Sequence, residues 1–113
     1  MNYIKGHKKR YVEVQLGVLV FQEEDSFLAF CPALNLSTYG DSIKDVKDAF
    51  DDLMAAYIEE CTKMGTLEKD LRLHGWTIEQ SAGVAFPPKE IDLDIAAGML
   101  RQQFSEPFRI PMN

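Results

Sequence analysis

The side chains that could carry out acid–base or nucleophilic chemistry are few and lie far apart along the chain. The two histidines are His7, near the N-terminus, and His74. A nucleophilic serine, cysteine or threonine needs a base beside it and a third group that orients this base. Neither histidine lies in such a motif, and a surface or helix-capping role fits both better. We therefore predict no catalytic residues and no enzymatic activity.

Patterns that bind metals or phosphate groups are also missing. Zinc sites use Cys and His at short spacing, whereas Cys31 and Cys61 are far apart and have no such neighbours. Asp92 and Asp94 lack the other ligands of a calcium loop. Neither a G-x-G-x-x-G loop nor a Walker A run occurs. The sequence therefore predicts no metal site and no cofactor.

One acidic run could supply catalytic carboxylates. Its members are Asp41, Asp45, Asp48, Asp51 and Asp52. On a helix the last four would spread over about half of the circumference, which is typical of a solvated face. We therefore interpret the run as a charged surface.

Length and composition indicate one globular domain, and the strands and helices predicted below make its class α+β. The chain has 113 residues, of which 46% are hydrophobic and 27% are charged. A domain of this size buries roughly two-thirds of its unfolded surface, so it needs neither disulfides nor a structural metal. Cys31 and Cys61 fall at apolar positions, which favours two small buried side chains over a redox pair.

The charge is distributed unevenly. The formal net charge is −6 at pH 7, although residues 1–10 form a basic arm. An acidic body repels nucleic acid and attracts basic partners, which argues against DNA binding. The arm precedes an alternating pattern and not an unbroken apolar run, and no stretch approaches the ~18 apolar residues of a membrane helix. We expect a cytoplasmic protein without membrane association.

Alternation of apolar residues predicts three strands in the first part of the chain. They cover residues 12–22, 27–31 and 34–39, with a polar turn between the first two. Pro32 ends the second strand and Gly40 closes the third. The first strand is unusually long, so we expect a bulge or bend at Gly17.

A long amphipathic helix is predicted over residues 42–64. Asp41 or Ser42 caps its start, and Gly65 suits the left-handed position after its end. The simplest way to bury its apolar stripe is to pack it across one face of a small antiparallel sheet. This predicts a β-β-β-α-β order.

The rest of the chain gives weaker signals. A short helix starts with Thr66 as its N-cap and stops at Gly75, after which Trp76 returns to the core. Residues 93–104 have helical spacing and predict a helix, although residues 91–95 also alternate as a strand would. Residues 108–112 alternate and predict a short edge strand.

Two stretches resemble the core signature of HicB-type antitoxins. Residues 27–34 read FLAFCPAL and residues 40–46 read GDSIKDV. In that family an aromatic–x–Ala strand reaches a proline and a leucine, and a Gly-Asp-Thr/Ser turn opens a helix. The matched motif residues are Pro32, Gly40, Asp41 and Ser42. Two departures are Asn35, where many members have glycine, and Val46, where a small residue is usual.

The resemblance implies a partial ribonuclease-H-like fold over residues 11–78, between the basic arm and a proline-interrupted extension at 79–113. It also implies an antitoxin that neutralises a small basic HicA-type ribonuclease. Two alternatives stay open. One is an orphan homo-oligomeric regulatory or scaffold domain. The other is a degenerate ribonuclease-H-like enzyme that uses acidic metal ligands.

The C-terminal extension also predicts self-association. Phe104, Phe108 and Ile110 are apolar residues in a segment too interrupted by proline to fold alone. Such groups need a surface, which could be another chain or their own domain. We therefore expect a homo-oligomer in which these three residues contact a partner, with docking onto the same domain as the alternative.

Overall fold

The computed structural model describes residues 10–88 and 100–112. Its elements are β1 Arg10–Glu23, β2 Ser26–Cys31, β3 Leu36–Gly40, α1 Ile43–Met64, α2 Leu67–Leu73, β4 Thr77–Glu79, β5 Val84–Phe86 and β6 Leu100–Met112. The order β3-β2-β1-β6 forms an antiparallel sheet, and β4 pairs with β5 separately. The predicted α+β class, with a long helix on one face of a small antiparallel sheet, is confirmed.

Alternation along β1 gives the sheet two different faces. Its inner face packs into the core beneath α1 and consists of Val12, Val14, Leu16, Val18 and Val20. Its outer face consists of Tyr11, Glu13, Gln15, Gly17, Leu19 and Phe21. The predicted bend at Gly17 is wrong, because the irregularity lies between Val20 and Phe21, where β6 has one extra residue.

Local capping signals set the ends of α1 as predicted. The Ser42 hydroxyl accepts a hydrogen bond from the Asp45 amide at 3.0 Å. Gly65 ends the helix in the left-handed region, with φ 67°. Between these caps, Val46, Phe50 and Met54 are buried against the sheet. The stripe and its caps therefore determine both the length and the orientation of α1.

Gly40 is required for a reason that the sequence does not indicate. The resemblance to HicB-type sequences places Gly40 in a turn before the helix, but its backbone is not in the positive-φ region. A Cβ at this position would lie 2.6 Å from the Val46 amide nitrogen and 2.8 Å from the Val46 Cα. Glycine therefore lets β3 and the first turn of α1 approach closely.

α2 ends before the residues that return to the core. Thr66 is the N-cap residue of α2 as predicted, but its side chain makes no capping hydrogen bond. Trp76 is buried as predicted, and its indole N–H donates to the Ala33 carbonyl at 2.8 Å. Within the part of the chain that the structure describes, no helix is long and apolar enough to cross a membrane.

The C-terminal segment completes the main sheet. The predicted helix at 93–104 is wrong for residues 100–104, which belong to β6, and residues 93–99 lie outside the described part. The predicted short edge strand at 108–112 exists but is the end of a much longer one. β6 pairs with β1 along most of its length, so it shares one core with the first part of the chain.

Candidate binding surfaces

The β1–β2 turn and the start of α1 lie at the same end of the sheet, because Phe27 pairs with Gly40. Both segments carry exposed carboxylates there. We call these residues the acidic end: Glu24, Asp25, Asp41, Asp45 and Asp48. Lys44 lies among them and pairs with Asp48 at 2.8 Å, but both side chains are largely exposed. Lys44 offsets only one of the five carboxylate charges, so the acidic end remains negative and attracts a basic partner.

A cavity of about 360 Å³ opens within the acidic end. It is lined by Ser26, Tyr39, Gly40, Asp41, Asp45 and Ala49. Tyr39 is 59% exposed and contributes an aromatic ring beside two carboxylates. A guanidinium or ammonium group is attracted both by ring faces and by carboxylates. The cavity therefore suits a lysine or arginine side chain of a partner protein.

Asp51 and Glu106 meet where α1 packs on β6. Glu106 lies on the inner side of β6, between Phe104 and Phe108 in sequence. Burial, and after it the hydrogen-bonded Asp51 carboxyl, together raise the pKa of Glu106 to about 7. Two carboxyl groups this close share a proton more readily than they both ionise. The pair therefore forms a contact between helix and strand that depends on pH.

A second polar contact joins α1 to α2. The Tyr57 hydroxyl donates to the Asp70 carboxylate. Burial and the neighbouring Asp70 raise the pKa of Tyr57 well above its usual range. The His74 Nδ1 lies 2.8 Å from the Asp70 carbonyl oxygen and 3.5 Å from its carboxylate. These contacts with Asp70 hold the His74 ring at the end of α2. His7 lies outside the described residues.

The HicB-like motif residues all lie at junctions between elements. Pro32 follows the last residue of β2, and its carbonyl accepts from the Asn35 amide at 3.3 Å. Asn35 has φ 54°, a conformation that glycine adopts most easily and asparagine tolerates. Asparagine at position 35, the first departure from the HicB-type pattern, is therefore compatible with the backbone of this chain. Asp41 is the one motif residue with an exposed charged side chain.

The predicted partner contacts need correction. Phe108 is fully buried and Ile110 is 2% exposed, so both belong to the core of their own chain. Phe104 is half-buried, with its ring edge-on to Phe50 at 6.3 Å and Lys47 above it at 5.2 Å. Docking onto the same domain, the alternative, is the arrangement in the structure. Phe108 and Ile110 are therefore not exposed for contact with another chain.

The cysteines and carboxylates assemble no further reactive site in the described part of the chain. Cys31 is buried, Cys61 is half-buried, and both are free thiols. Burial raises the pKa of the Cys31 thiol, which lowers its reactivity. Within residues 10–88 and 100–112 no group of three or more His, Cys, Asp or Glu side chains could hold a metal ion.

The acid pair and the acidic cavity are the features that sequence reasoning missed. Asp51 and Glu106 come together only through the pairing of β6 with β1, and no local pattern reveals it. Comparison of the chain with protein-family models, curated proteins and solved structures gives no match. The resemblance to HicB-type antitoxins therefore depends on the motif residues alone.

Proposed function

We propose that the protein is a HicB-like antitoxin-type binding module that neutralises a small basic HicA-type ribonuclease. The acidic end is the observation that carries this proposal. It presents five exposed carboxylates from two segments, and a cavity with an aromatic wall opens among them. Lysine or arginine side chains of the ribonuclease would enter this cavity, and the bound antitoxin would cover the surface that cleaves RNA.

The backbone geometry at the motif adds support. Ser42 caps α1, and Gly40 permits the close approach of β3 to its first turn. Together these residues hold Asp41 and Asp45 at the mouth of the cavity. The motif residues thus position the surface to which the proposal assigns binding. The nuclease alternative lacks a comparable basis, because the described residues contain no metal-ligand cluster.

The proposal is tested by mixing the purified protein with a small basic HicA-type ribonuclease and measuring both binding and RNA cleavage. The informative variant combines Asp41→Asn with Asp45→Asn. The matched control, Glu59→Gln with Glu60→Gln, removes the same charge from exposed positions farther along α1. We expect the first variant to bind at least about tenfold more weakly, since close charge pairs across interfaces contribute a few kcal/mol.

The control should bind and inhibit as the natural sequence does. Binding of the natural sequence should also weaken as the salt concentration rises, because exposed charges are screened. Equal losses in both variants would show that only net charge matters. Full activity of the ribonuclease beside a large excess of the protein would overturn the antitoxin assignment.

A further inference from the structure

The cavity of the acidic end joins segments that are not consecutive in the chain. Ser26 begins β2, Tyr39 and Gly40 end β3, Asp41 follows β3, and Asp45 lies in the first turn of α1. The antiparallel pairing of β2 with β3 brings these segments to one end of the sheet. The positions of the lining groups are therefore set by the folded sheet and by the helix that follows it.

Two of the lining residues keep the cavity open because they have almost no side chain. Gly40 has none, and a Cβ added there would lie 2.6 Å from the Val46 amide nitrogen, so packing against α1 excludes a larger residue. Ala49, one turn after Asp45, contributes a single methyl group. The space between Tyr39 and the two carboxylates is therefore not filled by a neighbouring side chain.

The two carboxylates at the cavity are available to a ligand. Within residues 10–88 and 100–112, neither the Asp41 nor the Asp45 carboxylate makes a hydrogen bond or an ion pair. Lys44, the cation closest to them in sequence, pairs with Asp48 at 2.8 Å instead. Both carboxylates can therefore accept hydrogen bonds from the donors of a bound group.

Tyr39 gives the cavity an accessible aromatic face. Its side chain is 59% exposed, and it belongs to β3, which ends the sheet within the described part of the chain. No other ring and no cationic side chain of the described residues contacts it. An exposed ring attracts a cation and also provides a flat surface on which a planar group can stack.

These lining groups distinguish between the two cations that a basic protein presents. A guanidinium is planar and weakly hydrated, and its N–H groups can donate to carboxylates while its face lies on a ring. An ammonium is a compact and strongly hydrated charge, so it is attracted by the carboxylates but gains less from the ring. The carboxylates therefore attract both cations, and the ring favours arginine.

We propose that the cavity of the acidic end binds the guanidinium group of an arginine side chain in preference to the ammonium group of a lysine, and that Tyr39 determines this preference. The inference deepens the proposed function, and it rests on that function where it assigns the arginine to the ribonuclease. Asp41 and Asp45 provide the attraction for positive charge. Tyr39 provides the discrimination between the two cations.

Two small probes test the preference without any ribonuclease. N-acetyl-arginine methylamide and N-acetyl-lysine methylamide each carry one positive charge, which is on the side chain. Binding to the full chain is followed by the NMR chemical shifts of the Gly40, Asp41 and Asp45 amides. We expect the arginine probe to bind about threefold more tightly, the factor that an exposed contact between a cation and a ring provides. Added salt should weaken both probes by screening the carboxylates, while the ratio of the two affinities changes little.

Substitutions at position 39 separate the contribution of the ring from that of the charge. Tyr39→Leu should bind both probes equally, whereas Tyr39→Phe, which keeps the ring, should retain the preference for arginine. Phe86→Leu is the matched control, because Phe86 is a 58% exposed ring on β5, outside the acidic end. The fluorescence of buried Trp76 during urea unfolding establishes that each variant is folded.

Three results would overturn the inference. They are equal affinities for the two probes, a preference that survives Tyr39→Leu, and no binding of either probe at about 10 mM, where a millimolar site is mostly occupied. Mixing the same variants with the ribonuclease separates the inference from the proposed function. Inhibition by Tyr39→Leu that equals that of the natural sequence would overturn the role of Tyr39 and leave the antitoxin assignment intact. A preference for the arginine probe in a protein that leaves the ribonuclease fully active would support the inference and overturn that assignment.

Discussion

Replacing Gly40 with alanine should destabilise the fold more than the same change at any other glycine discussed above. The added Cβ would lie 2.6 Å from the Val46 amide nitrogen, 2.8 Å from its Cα and 2.9 Å from its Cβ. Two of these three atoms are backbone, so no change of rotamer relieves the contact. The first turn of α1 must move away from β3 by several tenths of an ångström, which disturbs packing around buried Val46 and Phe50.

Inserting one methyl group into a closely packed site costs about 1–3 kcal/mol, and a backbone contact favours the upper end. A loss of about 3 kcal/mol is a large part of the 5–15 kcal/mol that stabilises a typical domain. It should lower the melting temperature by about 10 °C or more. Trp76 is the only tryptophan and is buried, so its fluorescence reports unfolding in urea directly.

Two other glycines serve as controls. Gly65 has φ 67° and open space around it, so Gly65→Ala should cost about 1 kcal/mol through backbone strain alone. Gly17 has neither strain nor a close neighbour, so Gly17→Ala should be neutral or stabilising. A Gly40→Ala variant that is as stable as Gly65→Ala would refute the close-approach argument. Trimming Val46 to alanine should not rescue Gly40→Ala, since its amide nitrogen and Cα remain.

Three further outcomes can be checked by the same urea unfolding. The pKa of Glu106 in the folded protein lies above its ordinary value of 4.5, so the stability that its proton provides is present below about pH 4.5 and is lost as the pH rises through about 7. The free energy of unfolding should fall by about 1 kcal/mol over this range after solvent screening, and Glu106→Gln should abolish this pH dependence by removing the repulsion from Asp51. Ser42→Ala should cost about 1 kcal/mol, whereas Thr66→Ala should cost clearly less because Thr66 makes no capping bond; equal losses would contradict this. Tyr57→Phe should cost about 1–2 kcal/mol by removing a hydrogen bond to a carboxylate, and an unchanged midpoint would show that this contact contributes nothing.

Local signals in the sequence predicted the first half of the fold well. The alternation of β1, the Ser42 cap and the Gly65 terminus each depend on residues close together in the chain, and each lies where predicted. Residues 100–104 were mispredicted because their apolar spacing suits either a helix or a strand. Residues 100–104 form a strand because they pair with β1, and the same pairing buries Phe108 in the core.

The difference between contacts close in sequence and contacts between distant segments also explains which parts of the candidate sites could be predicted. The acidic residues around Asp41 were visible as a charged surface, but the cavity beside Tyr39 depends on the pairing of Phe27 with Gly40. The Asp51–Glu106 pair depends on the pairing of β6 with β1, which places Glu106 beneath α1. Such features come from contacts between distant segments, which a pattern within one segment cannot specify.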